Sequence, residues 1–479
     1  MQTLIQNLKS FGKTELNTII ISVFLGLLVL SNLIIGNYFI IYIGALILSF
    51  IFIWQTPQAG FLSAILVTMI FGEHFSLLPI QINETIYKVY ALDFVLIFTF
   101  LAWLFQQPIK KFSLKIFLSN KKNLWLIIFF IFIFINLLIS IFFKNANTEL
   151  ALGTFKNYSY LLVYFLVIAL FKNKQDIMRV IKTLFWTGIL ILGFVFYGII
   201  SGHGLWSEIT PGVRYLSGLH SYYLTFSIII LLISLIYKKY IFNFFSDLTI
   251  FLLQIIGLIG GMFRHLWLGL ATAFLTIFNF LSFKNKTKFI NLSLTIILII
   301  FLISLFFFWI NGVIGNEYTF AHNNFFSSVL NRGQTLFEIG ANTESATGWR
   351  LATWKIALNK FLSNPILGIG LGQRFYFEYR GFVDLIDIRN IHNDFASLLV
   401  QLGLLGFIPF ILFNFYHLKD LLKSLKQKDN FLSLILLGFY IISIFGIFFA
   451  IYLMFNGTSI FYWTIMGLIT VLINNKNNN

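Results

Sequence analysis

Three arginines and one histidine hold the chemical interest of this chain, because so apolar a sequence keeps few charges. Arg214 lies in PGVRYLSGLH, Arg264 in GGMFRHLWLGL and Arg350 in GWRLATWKIAL; His392 stands just before Asn393-Asp394, where a long apolar run begins. Guanidinium forks match phosphate oxygens in bidentate geometry. Arg214 and Arg264 are therefore candidates for holding an anionic ligand. Either alone reads equally well as a boundary arginine snorkelling to the headgroups. Two of them on the side of the membrane where positive charge is scarce tilt the reading toward a ligand. Gly260 and Gly261 precede Arg264 and would let a bulky ligand approach the backbone.

His392 is a candidate for orienting or deprotonating a hydroxyl, since imidazole titrates near working pH. The bland alternative is an interfacial histidine with no chemistry. Asn393 or Asp394 suits the N-cap of the helix that follows, which would fix His392 on a rigid element. Arg350 opens a helix, where a cation opposes the macrodipole; that points to a function or to a partner in Glu344. Trp354, one turn on, is either a sugar platform or packing. The other histidines, at 74, 203, 220, 265, 322 and 417, have no metal-ligand spacing to one another. With no cysteine in the chain, a disulfide, a thiol nucleophile and a Cys-ligated metal are excluded. No metal and no cofactor are expected.

Gly368, Gly370 and Gly372 in ILGIGLGQRF lack the strand–turn–helix context of a phosphate loop. They read better as a tight, extended turn pressed against a neighbour. Arg374, Arg380 and Arg389 follow, and with Asp384 and Asp387 nearby some of these should form ordinary surface pairs.

The elements that must position these residues are membrane helices. The 479 residues are 59% hydrophobic and only 10% charged. Apolar runs of about 17–25 residues indicate a polytopic α-helical protein rather than a barrel. The first run is long enough to span and reads as retained rather than cleaved. Spans are expected near 17–35, 38–54, 59–72, 89–105, 123–143, 152–171, 180–200, 221–237, 244–261, 264–281, 289–310, 394–415, 431–453 and 457–474. The fold class is thus all-α and polytopic, with about 12–14 transmembrane helices. Net charge is +16, but the lysines cluster in alternate short loops, as the positive-inside rule requires. That favours a bilayer over nucleic acid as the partner. The same alternation puts both termini in the cytoplasm and residues 311–393 outside. The expected organisation is residues 1–310 as an N-terminal bundle, 311–393 as one large outer loop and 394–479 as C-terminal helices. Within the loop, a helix over 348–363 carries Leu351, Trp354, Leu358 and Phe361 as an apolar stripe. That stripe should lie on the membrane or on the bundle top. The helix should end at Asn364-Pro365.

Two ordered motifs carry a family resemblance. The first comprises Arg350, Trp354, Ala357, Asn364, Pro365, Gly368 and Gly370. The second comprises His392, Asn393, Phe395, Gln401, Gly403 and Gly406. With an outer arginine earlier in the chain, they resemble the O-antigen ligase and O-antigen polymerase superfamily of bacterial membrane glycosyltransferases. The resemblance covers the outer loop and the next helix, and the remainder by topology. It implies transfer of a glycan from an undecaprenyl diphosphate carrier to an acceptor glycan or glycolipid, lipid A-core for a ligase or another repeat unit for a polymerase. It implies no metal and no nucleotide sugar, and an active site on the outer face of the inner membrane. By position, Arg214 and Arg264 would hold the diphosphate and His392 would act on the acceptor. Arg350, Trp354 and Asn393 are further substrate-binding candidates. One departure is that Phe263 and His265 flank Arg264, where the family often carries small residues.

A transporter or flippase of lipid-linked glycans is the rival of a different class. It calls for ionisable groups near the membrane midplane and for repeat halves, whereas the notable charges here gather toward the outer face. A polyprenyl-monophosphate sugar transferase usually has acidic residues in its first outer loop; here that loop is little more than Gly36-Asn37.

Overall fold

The computed structural model describes residues 12–36, 38–82, 85–106, 121–201, 204–205, 214–314, 346–379, 381–427 and 430–477. The chain opens with α1 (Lys13–Ile35), α2 (Phe39–Gln55), α3 (Pro57–Phe71) and the single turn α4 (Glu73–Ser76). A hairpin of β1 (Pro79–Ile82) and β2 (Thr85–Tyr90) leads to α5 (Ala91–Gln106). Next come α6 (Lys121–Phe142), α7 (Thr148–Ser159), α8 (Leu162–Leu170) and α9 (Lys174–Ser201). Then follow α10 (Gly218–Tyr237), α11 (Phe244–Gly260), α12 (Arg264–Phe280) and α13 (Phe283–Ile314). The last stretch holds α14 (Ala346–Ser363), the antiparallel hairpin β3 (Arg374–Tyr379) and β4 (Phe382–Asp387), α15 (Asp394–Leu425), α16 (Phe431–Phe449) and α17 (Asn456–Asn477).

The protein is an all-α polytopic membrane protein. Among the described residues, eight spans are long and apolar enough to cross a bilayer, and four shorter apolar helices accompany them. Each expected span falls on a helix. The span expected over 152–171 is broken at Tyr160-Leu161 into α7 and α8. There the Tyr160 hydroxyl donates to Asp93.

The helices gather into two compact units. One holds Met1–Leu184, Trp349–Lys423 and Ile447–Asn479; the other holds Phe185–Gly348 and Ser424–Gly446. In the first, α1 packs on α2 and α3, α3 on α5, and α8 on α17. In the second, α10 packs on α11, α12 and α13 and is buried along almost its whole length. Its sequence is apolar all round, as a helix enclosed by protein must be. Small residues let helices close up there: a side chain at Gly438 would strike Ile229, and one at Gly257 would strike Val195.

Inside the first unit, Lys122 is almost fully buried and its ammonium lies 3.0 Å from Asp420. Nearby, His417 Nε2 is 3.0 Å from Thr470 Oγ1, and the Tyr164 hydroxyl donates to Asn123 Oδ1. The sequence reads Lys121-Lys122 only as loop charge. One of the two is an interior ion pair whose breakage would leave a charge uncompensated.

Of the outer loop expected over 311–393, residues 315–345 lie outside the described residues, Glu344 and His322 among them. The part that is described is ordered. Its helix starts at Ala346, so Arg350 sits in the second turn rather than at the N-terminus, and the dipole argument for it weakens accordingly. The expected stripe is divided. Trp354 and Phe361 pack into a cluster with Ala357, Phe375, Phe377, Ile386, Ile388, Ile391 and Val400, whereas Leu351 and Leu358 are exposed. The inward face is lined by Thr353 and Ala357, small enough for α14 to approach the hairpin closely. The hairpin itself is absent from the sequence reading. Its signal is the alternation in RFYFEY, with Phe375 and Phe377 inward and Tyr376 outward, followed by a two-residue turn containing Gly381.

Candidate functional site

His392 is held by its neighbours on both sides in sequence. On the N-terminal side, the Trp354 indole N–H donates to the Ile391 carbonyl at 2.8 Å. On the C-terminal side, Asn393 is the N-cap of α15, its Oδ1 accepting from Ala396 N at 2.9 Å. Asp394 Oδ2 then accepts from the backbone N–H groups of Tyr452 and Leu453, at 2.6 and 2.7 Å. Between these anchors His392 adopts φ +53°, a left-handed conformation that costs a non-glycine residue on the order of 1–3 kcal/mol. The edge of the Trp349 ring meets the imidazole at 5.8 Å. Burial, and after it the charge of Arg350, push the imidazole pKa down to about 4. The ring is therefore neutral at pH 7 and has a lone pair to offer.

The glycine-rich turn and the second motif interlock, which explains their pairing in the sequence. α15 is broken at Gly403, with φ +62° and ψ −169°. Backbone from the turn fills the break: Ile369 N donates to Val400 O, Gly370 N to Gln401 O, Leu404 N to Pro365 O and Leu405 N to Ile366 O. Below His392, Gln401 Nε2 donates to Ser397 Oγ at 2.8 Å and to the Tyr158 hydroxyl at 3.2 Å. Arg389 is paired with Asp387, Nε to Oδ2 at 2.8 Å. It is one of the ordinary pairs expected of this segment. Arg380 lies outside the described residues.

The second cluster lies in the other unit. Arg264 is the first residue of α12, and the preceding Phe263 offers no side-chain cap. Backbone N–H groups and the positive end of the dipole there favour an anion. The Arg214 guanidinium lies 4.5 Å from the centre of the Phe263 ring. The segment bearing Arg214 is pinned by Tyr215 N donating to Gly260 O at 2.9 Å. Arg214 thus lies over the ring of the residue that precedes Arg264, and Phe263 becomes intelligible as a platform for Arg214. Gly260 and Gly261 have a different use from the expected one. The space beside them is taken by Tyr215 and Ser221, so they admit the Arg214 segment rather than a ligand.

Residues 249–411 match the family model described as O-antigen ligase. The match supports the O-antigen ligase and polymerase superfamily for this part of the chain. No curated protein matches it. The ligase match contains Arg264, Arg350, Trp354, His392 and Asn393 together with the interlocked turn and break; Arg214 precedes it. Trp349, Phe263 and Asp394 are the members of these two clusters that sequence reasoning passed over or took only as a possible cap. Among the described residues, no three His, Cys, Asp or Glu side chains are grouped as a metal site would need.

Proposed function

We propose that the chain is a glycosyltransferase of the outer face of the bacterial inner membrane. It takes a glycan from an undecaprenyl diphosphate carrier and attaches it to the hydroxyl of an acceptor glycan or glycolipid. Arg214 and Arg264, with the N-terminus of α12, hold the diphosphate and take up charge as it leaves. His392 accepts a hydrogen bond from the acceptor hydroxyl and relieves it of its proton. Trp354 and Asn393 hold His392 in place, and burial, with the charge of Arg350 second to it, keeps its imidazole neutral. The observation that carries this reading is the fixed, neutral His392 in a chain whose residues 249–411 match the O-antigen ligase family model.

The rival transport reading asks for ionisable groups at mid-membrane. The buried Lys122–Asp420 pair does not supply them. Lys122 is the second residue of α6 and Asp420 the sixth from the end of α15, so the pair joins helix ends rather than midspans.

Two experiments test the proposal. Deleting the gene and resolving surface glycans on a gel separates the two reaction types. Loss of all attached polymer, with carrier-linked chains accumulating, identifies a ligase; a single repeat unit left on the acceptor identifies a polymerase. An unchanged pattern rules out both. Separately, Arg264→Ala should weaken donor binding by about 1.5–3 kcal/mol, the worth of one charge-assisted contact. Arg264→Lys should rescue it poorly, because the planar fork is lost. Unchanged donor affinity and turnover in Arg264→Ala would remove this arginine from the diphosphate site.

A further inference from the structure

The outward side of α14 carries three exposed leucines, and Lys355, Asn359, Lys360 and Ser363 are also exposed on the helix. Leu351, Leu358 and Leu362 recur at i, i+7 and i+11 and are 47%, 52% and 63% exposed. Lys355 lies beside them, with a stem long enough to snorkel. The His392 segment is held by Trp349 on the far side of the helix and by Trp354 on the flank of the leucine face. In the turn that follows, Ile366 and Leu367 are also exposed. Backbone bonds from Leu404 N to Pro365 O and from Leu405 N to Ile366 O set them beside Leu404, Leu405 and Ile408. Those three are the outward, exposed residues of α15, a membrane span. The leucine face of α14 therefore continues directly into a lipid-facing surface.

Depth can be read from two helices. Gly403 is nine residues into α15, about 14 Å from its start along the axis. On α6, Asn136 donates to Leu367 O at 2.9 Å, and Ser140 Oγ accepts from Leu371 N at 2.6 Å. Asn136 is six residues before the end of α6, about 9 Å. The helix ends at Phe142, and Phe142 and the next residue, Phe143, are both strongly exposed, as residues at lipid level are. The turn lies below them.

The hydrogen bonding of the turn fits that depth. Irregular backbone at membrane level survives only where protein satisfies it. The carbonyls of Asn364, Pro365, Ile366, Leu367 and Gly368 accept from Gly368 N, Leu404 N, Leu405 N, Asn136 Nδ2 and Lys144 Nζ respectively. The N–H groups of Ile369, Gly370 and Leu371 donate to Val400 O, Gln401 O and Ser140 Oγ. Water would have served most of these groups had the turn been a surface loop.

We propose that α14 lies in the outer leaflet with Leu351, Leu358 and Leu362 among the acyl chains, and that Asn364–Leu371 re-enters the bilayer beside the break in α15. The sidedness rests on the outer-face reading above; the immersion does not. The consequence is functional. Because α14 has its leucines in lipid and grips the His392 segment through Trp349 and Trp354, the imidazole is held at headgroup height, where a lipid-borne phosphate lies.

The cysteine-free chain permits single spin labels. Labels placed by Leu358→Cys, Leu362→Cys and, as a water-exposed control, Glu378→Cys would be compared in phosphatidylethanolamine–phosphatidylglycerol liposomes. Relaxation by dissolved oxygen is set against relaxation by a water-soluble nickel chelate. At 358 and 362 oxygen should dominate several-fold, and at 378 the chelate should. Equal chelate access at 358 and 378 overturns the immersion. Shielding of 358 from both reagents also overturns it, because protein then covers that face. The readout needs no substrate, so it stands whether or not the transferase reading survives.

Discussion

Replacing His392 by alanine should lower transfer by about 10²–10⁴-fold, the usual worth of general-base assistance, while donor binding is retained. The residue is held by the Trp354–Ile391 hydrogen bond and the Asn393 cap, both of which involve neighbours, so the variant should fold. The pH profile gives a sharper test. Burial and the Arg350 charge hold the imidazole near 4. Its neutral form therefore persists well below pH 6.5, and the acid limb of turnover should fall near pH 4 rather than near 6.5. Arg350→Ala removes a cation that disfavours a second positive charge, so it should move that limb upward. A limb at 6.5 in the wild type, or one unmoved in Arg350→Ala, would detach His392 from the rate. His392→Gln separates orientation from proton transfer, since an amide can accept the hydrogen bond but is not a base. Loss of donor binding in His392→Ala would instead move the histidine to the diphosphate side.

The transmembrane helices were legible because lipid imposes them. A run of apolar residues long enough to cross a bilayer has few alternatives, and the described spans fall where hydropathy puts them. The interior polarity was not legible. Lys122 and Lys121 look alike in sequence, yet Lys122 is buried against Asp420. Only a tertiary partner distinguishes them. The division of the α14 stripe, with Trp354 and Phe361 packed and Leu351 and Leu358 exposed, was not legible for a related reason. In water the most apolar stripe turns inward; beside a bilayer it can turn outward, leaving Thr353 and Ala357 inside. The β3–β4 hairpin was overlooked because its alternation spans only six residues per strand within a region treated as loop. At the candidate site, the order of His392, Asn393 and the arginines was readable. The role of Phe263 was not, because a ring that stacks under an arginine from another segment has no local signature. The Gly368–Gly372 turn was readable as pressed against a neighbour, and the structure identifies that neighbour as the break at Gly403.

That mutual packing makes Gly403→Ala the substitution expected to do most damage to the fold. Gly403 has φ +62° and ψ −169°, a region essentially reserved for glycine, where another residue costs on the order of 1–3 kcal/mol. An added Cβ would also overlap the Ile366 carbonyl and lie 2.5 Å from Gly368 N. Both are backbone atoms that cannot swing aside. Gly368 has the reciprocal problem: at φ +70°, its Cβ would lie 2.5 Å from Gly403 N. Pushing the two segments apart threatens the four backbone bonds between 365–370 and 400–405, each worth about 0.5–1.5 kcal/mol net and more where no water can replace it. Together these terms reach on the order of 4 kcal/mol or more, which few single substitutions exceed. Gly381→Ala is the internal control. It too has positive φ, +81°, but a Cβ there meets nothing within 4 Å, so only the conformational cost of about 1–2 kcal/mol applies. Thermal unfolding in detergent should show a large drop for Gly403→Ala and Gly368→Ala and a small one for Gly381→Ala. Equal, small drops at all three would mean that the turn and the break do not hold each other. The close approach of the two motifs would then need another cause than packing, such as a ligand that bridges them.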